Sequence, residues 1–197
     1  MSAPASIPGF HAIVLAAGAG RRFGGRKLLA PWRGAPLIQA AVQSACSAPV
    51  ETVTVVLGAD AAAVRSAVER RDRSCPVVFV EALEWSSGLS ASLRAGVAAL
   101  PAGAQAVYVF LGDMPCIPAS ILAPLAAAVL AGAPAAAPIH QGRRGHPVLL
   151  SRALLDQIDT LTGDEGARRL LDGVRVAEIP HASDAVLFDV DGPDALR

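Results

Sequence analysis

The chain has 197 residues, 53% hydrophobic and 17% charged, with Lys+Arg and Asp+Glu both at 17. That length suits one domain around one core, here taken as residues 1–197 with 1–9 flexible, and the composition excludes disorder. Formal neutrality disfavours a broad phosphate-neutralising surface for nucleic acid and leaves a small anion held by a few local cations.

In chain order, residues 1–9 lack the basic segment and apolar run of a signal peptide. Near-continuous apolar runs then predict buried strands at His11–Ala16, Thr52–Leu57, Val77–Val80 and Val107–Leu111. Between them, apolar residues at helical spacing predict helices over Leu37–Ser47, Ala61–Arg71 and Ser90–Leu100. The second half predicts helices at Ile121–Leu130, Ala153–Ile158 and Glu165–Asp172. Strands are expected at Ala135–Ile139 and Pro147–Leu150 around the loop Gln141–His146, with late strands at Val174–Ile179 and Val186–Val190. Alternating strands and helices predict an α/β three-layer sandwich with a mostly parallel sheet. The alanine-rich stretch Ile121–Ile139 is broken by Pro124, Gly132, Pro134 and Pro138, so no membrane span is expected. Cys46, Cys75 and Cys116 form no CxxC pair, so neither a disulfide framework nor a zinc cluster is expected, and a reduced cytoplasm fits best.

Chemistry concentrates first in Leu15-Ala16-Ala17-Gly18-Ala19-Gly20-Arg21-Arg22-Phe23-Gly24-Gly25-Arg26-Lys27. Glycines after a strand allow backbone N–H groups to approach phosphate oxygens. Small Ala16 and Ala17 leave room for a flat base, and Arg22 and Lys27 supply cations. The spacing is wrong for a dinucleotide fingerprint, because Gly24 comes one residue late, and no GK[ST] follows. A solvated glycine-rich turn is the plainer alternative. Asp113 is the second concentration: it follows the strand Val107–Leu111 directly, with Gly112 clearing space and Pro115 closing the turn. Such a carboxylate is either solvated at the sheet edge or holds a cation such as magnesium.

The string from Leu15 to Lys27 resembles the LAAGxGxRFGxxK signature of MobA-like proteins, within the Rossmann-like, glycosyltransferase-A-like nucleotidyltransferases. Five segments between His11 and Asp194 are similar to the MocA-type molybdenum cofactor cytidylyltransferases. The resemblance implies transfer of CMP from CTP to the terminal phosphate of molybdopterin, with release of pyrophosphate. It further implies Mg2+, with Mn2+ as a substitute, and a molybdenum hydroxylase apoenzyme or its chaperone as a possible partner. Lys27, Arg22 and Asp113 would be catalytic, the loop Gly18–Gly24 cradling phosphates. Ala16-Ala17-Gly18 is the pyrimidine-type pattern. Gly88, Ser90 and Ser92 resemble the segment that addresses cytosine, although Ser90 also reads as the N-cap of its helix.

Asp189-Val190-Asp191-Gly192-Pro193-Asp194 resembles the family's DxDTPED ending, with Gly192 in place of threonine. Alternation along a strand would put Asp189 and Asp191 on one face. Asp191 is the favoured second metal ligand and Asp189 the alternate; Asp194 reads as an exposed helix-start residue. On the acceptor side, Gly142-Arg143-Arg144-Gly145-His146-Pro147 and Gly163-Asp164-Glu165-Gly166-Ala167-Arg168 are similar to group segments. They nominate Arg144, Gly145, His146 and Arg168 for acceptor binding, with Asp164 capping the helix that follows. Cys116 reads as a small buried thiol. Three other readings stay open: another phosphorylated acceptor, a nicotinamide-dependent reductase on the same fold, and a carrier of molybdopterin without chemistry.

Overall fold

The computed structural model describes residues 5–70 and 75–196, with the Arg22 side chain outside the described set. The first strand, β1 (Phe10–Ala16), is buried throughout. A two-stranded hairpin follows, β2 (Pro31–Trp32) with β3 (Ala35–Pro36), leading into α1 (Leu37–Cys46). Then come β4 (Thr52–Leu57), α2 (Ala61–Glu69), β5 (Val77–Glu81), α3 (Leu89–Ala98) and β6 (Ala106–Leu111). The second half carries α4 (Leu122–Leu130), β7 (Ala135–His140), β8 (Arg143–Arg144), β9 (Val148–Ser151), α5 (Arg152–Leu155), α6 (Ala167–Leu171) and β10 (Val176–Pro180).

Eight of these strands form one sheet in the order β10-β7-β9-β6-β1-β4-β5, with β8 paired to β7. β6, β1, β4 and β5 run parallel, as do β7 and β10, while β9 runs antiparallel to both β6 and β7. β6, β7 and β10 therefore end on the same rim as β1. Everything that follows those strands meets at one edge, which is where open α/β sheets hold ligands.

Alternation along β1 makes two cores. Phe10, Ala12, Val14 and Ala16 face a layer of α1, α2 and α4 through Ile38, Val42, Val64, Val68 and Leu125. Ile13 and Leu15 face the opposite layer with Leu93 of α3, Leu154 of α5 and Leu170 of α6. This is the expected sandwich. Buried polar groups knit it: the Tyr108 hydroxyl donates to the Leu122 carbonyl at 2.7 Å, and Gln39 Nε2 donates to the Ala67 carbonyl at 2.8 Å. Ile7 also packs on the core, and its N–H donates to Pro49. The end of the segment expected to be flexible is thus held, while residues 1–4 lie outside the description.

Three expectations need correction. Val186–Val190 is not a strand: a short 3-10 turn spans Asp184–Val186 and irregular backbone follows. Val186 and Val190 are fully buried all the same, so their apolar side chains reflect packing rather than a strand. Second, Cys46 and Cys75 form a disulfide, which joins the end of α1 to the approach of β5. The cysteine pattern therefore no longer argues for a reducing compartment. Third, the hairpin at Trp32 was not anticipated, because Pro31 and Pro36 flank it and proline weakens a strand assignment. Among the described residues, no helix is long and apolar enough to cross a membrane.

Candidate active site

The chain leaves β1 at Ala16 and turns sharply. Gly20 adopts φ 60, and an added Cβ there would stand 2.8 Å from Lys27 Cβ. Both conditions demand glycine, and they bring the loop back against Lys27. The turn is sealed by Phe23 N–H and Gly25 N–H, which both donate to the Gly20 carbonyl. Arg22 lies in this turn, Arg21–Phe23, but its side chain is outside the described set.

Lys27 opens a 3-10 turn and reaches across to the end of β6. Its Nζ donates to Asp113 Oδ2 at 2.7 Å and lies 3.6 Å from Asp191 Oδ1. The lysine side chain is 12% exposed, Asp113 26% and Asp191 65%, so the inner pair is shielded and the outer carboxylate is solvated. Asp113 is fixed from two sides. Gly112 N–H donates to the Leu15 carbonyl at 2.9 Å, and Val190 N–H donates to the Asp113 carbonyl at 3.0 Å. That second bond ties the C-terminal segment to the β6 turn and delivers Asp191 without any strand. Gly112 clears space for packing rather than for a ligand, since a Cβ there would press on Ile38 and the Leu15 carbonyl at 3.0 Å.

Asp189 belongs to the same group. Its carboxyl is raised above the usual carboxylate value because the protein strips part of its water, and Asp191 and Asp113 repel its charge. A site that gathers carboxylates in this way favours a cation. Among the described residues, however, no cluster of three or more His, Cys, Asp or Glu could hold a metal alone. Asp113 and Asp191 converge on one cation, the Lys27 ammonium, and this oxygen set fits magnesium completed by substrate phosphates.

Lys27, Asp113 and Asp191 line a cavity of about 610 Å³. Of the expected nucleotide-binding residues, Leu15, Ala17, Gly18, Gly20, Lys27, Gly88 and Ser92 line it. Ala16 is turned into the core, and neither Gly24 nor Ser90 lines the cavity. Ser90 is also not a cap. Gly88, at φ 119, occupies the cap position, which leaves Ser90 inside the first turn with its Oγ buried and unpartnered. Trp85 and Asp164 line the cavity too and were missed as cavity residues. Trp85 sits three residues before Gly88 in a segment already singled out, which was the available signal. Asp164 does not cap a helix: α6 begins after Gly166 with no side-chain cap, and the Glu165 carboxylate instead accepts from Thr162 N–H. The Gly163 carbonyl accepts from Ser90 N–H at 3.0 Å, and a Cβ on Gly88 would collide with Gly163. The loop 162–166 is thereby held against the start of α3, and its Asp164 lines the cavity.

The expected acceptor residues scatter. Arg144 Nε donates to Glu178 Oε1 at 2.7 Å at the β8–β7–β10 end of the sheet. Arg168 is exposed on α6. Gly145 packs against the Val186 carbonyl, and His146 N–H donates to that same carbonyl at 2.8 Å. His146 is half-buried with its Nδ1 shielded and unpartnered; loss of water pushes its imidazole below the ordinary value of 6.5, against smaller opposing effects from the Val109 backbone and Asp113. Gly145 and His146 therefore brace the turn that leads to Asp189 and Asp191, and none of the four lines the cavity.

Comparison with known proteins matches this architecture. A nicotine blue oxidoreductase of Paenarthrobacter nicotinovorans is 33% identical over 173 residues, covering 84% of this chain and 82% of that protein. The molybdenum cofactor cytidylyltransferase of Escherichia coli strain K12 is 28% identical over 190 residues, covering 92% and 91%. Among solved structures, the homologue of Mycobacterium tuberculosis Rv0371c from Mycobacterium sp. strain JC1 superimposes with a TM-score of 0.81 at 31% identity, covering 95% and 92%. A manganese complex of Rv0371c from M. tuberculosis H37Rv gives 0.73 at 26%, covering 91% and 90%. The MobA-like NTP transferase domain matches residues 12–181, and the chain belongs to that family.

Proposed function

We propose that the protein transfers CMP from CTP to the terminal phosphate of molybdopterin, releasing pyrophosphate, with Mg2+ or Mn2+. The observation that carries this reading is the meeting of Lys27, Asp113 and Asp191 in a cavity lined by the glycine-rich loop. The base would lie toward Trp85, Gly88 and Ser92, and the triphosphate along Gly18–Gly20 toward Lys27. A divalent ion held by Asp113 and Asp191 would neutralise phosphate charge. Lys27 and the loop N–H groups stabilise charge on the departing pyrophosphate. The acceptor phosphate is anionic near neutral pH, so its attack on the α-phosphorus needs no general base. CTP use and a product destined for a molybdenum hydroxylase apoenzyme suit the cytoplasm.

Similarity to the cytidylyltransferase supports the acceptor, and the Ala16-Ala17-Gly18 pattern, of which Ala17 and Gly18 line the cavity, supports a pyrimidine. The 33% identity with an oxidoreductase supports a second reading, reduction of a substrate by NAD(P)H. One assay separates the two. The protein is incubated with each of the four nucleoside triphosphates and Mg2+, with and without molybdopterin, while pyrophosphate is measured. Release that needs molybdopterin and is fastest with CTP is expected. Equal rates with GTP would sink the base assignment, and no pyrophosphate with any triphosphate, together with NAD(P)H oxidation in a parallel incubation that supplies it, would install the oxidoreductase.

A further inference from the structure

A second group of side chains borders the carboxylates outside the nucleotide cavity. The Trp32 and Phe188 rings lie 5.9 Å apart between centroids at 39°. The Arg33 guanidinium carbon stands 5.4 Å from the Trp32 ring centroid. Phe188 immediately precedes Asp189, and the bond from Val190 N–H to the Asp113 carbonyl at 3.0 Å fixes this segment to the β6 turn. The Arg33 charge also reaches Cys116, three residues beyond Asp113, and opposes the rise that burial gives the thiol. Trp32, Arg33 and Phe188 do not line the cavity that Asp113 and Asp191 line. The segment that carries Phe188 thus runs straight into Asp189 and on to Asp191, which lines the cavity.

The hairpin gives that second surface a fixed shape. With Trp32 paired to Ala35, its loop is only Arg33-Gly34, at φ 48 and φ 84. Positive φ at both positions is the tight hairpin turn that favours Asn-Gly, so arginine is a choice the turn itself disfavours. The outcome is an exposed guanidinium beside two half-buried rings, at the edge of a phosphate-transfer site. Planar guanidinium suits phosphate, and half-buried aromatic faces suit a flat ring.

We propose that Trp32, Phe188 and Arg33 form the acceptor subsite. It would take a flat heteroaromatic ring system carrying a phosphate, the ring against Trp32 and Phe188, with Arg33 holding the anionic group beside Asp113 and Asp191. The proposal rests on the phosphate-transfer reading above and deepens it, assigning acceptor recognition to residues outside the Arg144–His146 loop.

The test uses 6-hydroxymethylpterin phosphate as the probe and ribose 5-phosphate as the non-aromatic control. The chain has two tryptophans, so Trp85→Phe leaves Trp32 as the sole tryptophan, read by excitation at about 295 nm where Tyr108 does not absorb. Pterin phosphate is expected to quench Trp32 emission at saturable concentration, and ribose 5-phosphate is not. Arg33→Ala and Trp32→Ala should weaken pterin phosphate binding at least tenfold by calorimetry, with CTP binding changed less than twofold. In turnover with molybdopterin, the same variants should raise the acceptor KM and spare the CTP KM. Arg33 is exposed, so its variant remains informative if Trp32→Ala folds poorly. Unchanged pterin binding in Arg33→Ala, equal quenching by ribose 5-phosphate, or a parallel loss of CTP binding would overturn the subsite. The binding arm needs no reaction. Absent pyrophosphate release with intact, Arg33-dependent pterin binding defeats the transfer reading alone; release with an unaltered acceptor KM in both variants defeats the subsite alone.

Discussion

Lys27 is where charge, reach and position come together. Its ammonium is shielded and bridges toward Asp113 and Asp191, so removing it strips a cation from two carboxylates at once. Lys27→Met is expected to lower kcat/KM about 100- to 1,000-fold, the cost of losing one preorganised charge at a transition state. The measurement is steady-state pyrophosphate release. Asp113→Asn should abolish turnover while circular dichroism and the melting midpoint stay near those of the parent; retained turnover would remove Asp113 from the metal site. The structure brings the two side chains together, and both stand out in the sequence because each is anomalous there. One is a carboxylate ending an apolar strand, the other a lysine closing a glycine-rich loop. Ser90 and Asp164 were misread for the same reason: a cap is defined by the φ of its residue. Gly88 at φ 119 and Gly166 took those positions, and neither angle can be read from composition.

At the scale of elements, the loop 162–166 depends on the start of α3. Gly88→Ala would force a Cβ against Gly163 at a backbone angle that side chains avoid. It is expected to cost about 1–3 kcal/mol of stability and to weaken nucleotide binding, since the displaced loop walls the cavity. Denaturant midpoints and a CTP titration check the two halves. An unchanged CTP affinity would detach the loop from the nucleotide site. The parallel strands were legible because burial on both faces leaves continuous apolar runs, as in β4 and β6. The same rule failed over Val186–Val190, where Val186 and Val190 are buried in a 3-10 turn and the irregular backbone after it rather than in a strand. Delivery of Asp191 by a single backbone bond to Asp113 is a tertiary fact with no local signature.

Across the whole molecule, two histidines lose water on folding, His11 beside Glu51 and His146 near Asp113. Burial lowers both His11 and His146 from 6.5, with Glu51 partly opposing it at His11 and the Val109 backbone and Asp113 opposing it at His146. In the unfolded chain these imidazoles take up protons near 6.5, whereas in the folded chain they resist until lower pH. The unfolded state therefore binds more protons in that window, and stability falls as pH drops from 6.5 toward the folded values. Urea midpoints between pH 7.5 and 5.5 should decline, and His146→Gln should flatten the decline. The sandwich itself was legible, because strand and helix alternate along the chain. The Cys46–Cys75 bridge was not, since a separation of 29 residues carries no motif and the pair meets only once the layers are packed.

The central claim concerns where one phosphorus atom goes, and CTP labelled at the α-phosphorus follows it. In a single turnover with Mg2+ and molybdopterin, the account predicts label in a molybdopterin–CMP product, with one pyrophosphate released for each label transferred. Label remaining in CTP, with no pyrophosphate released in the presence of molybdopterin, would contradict it.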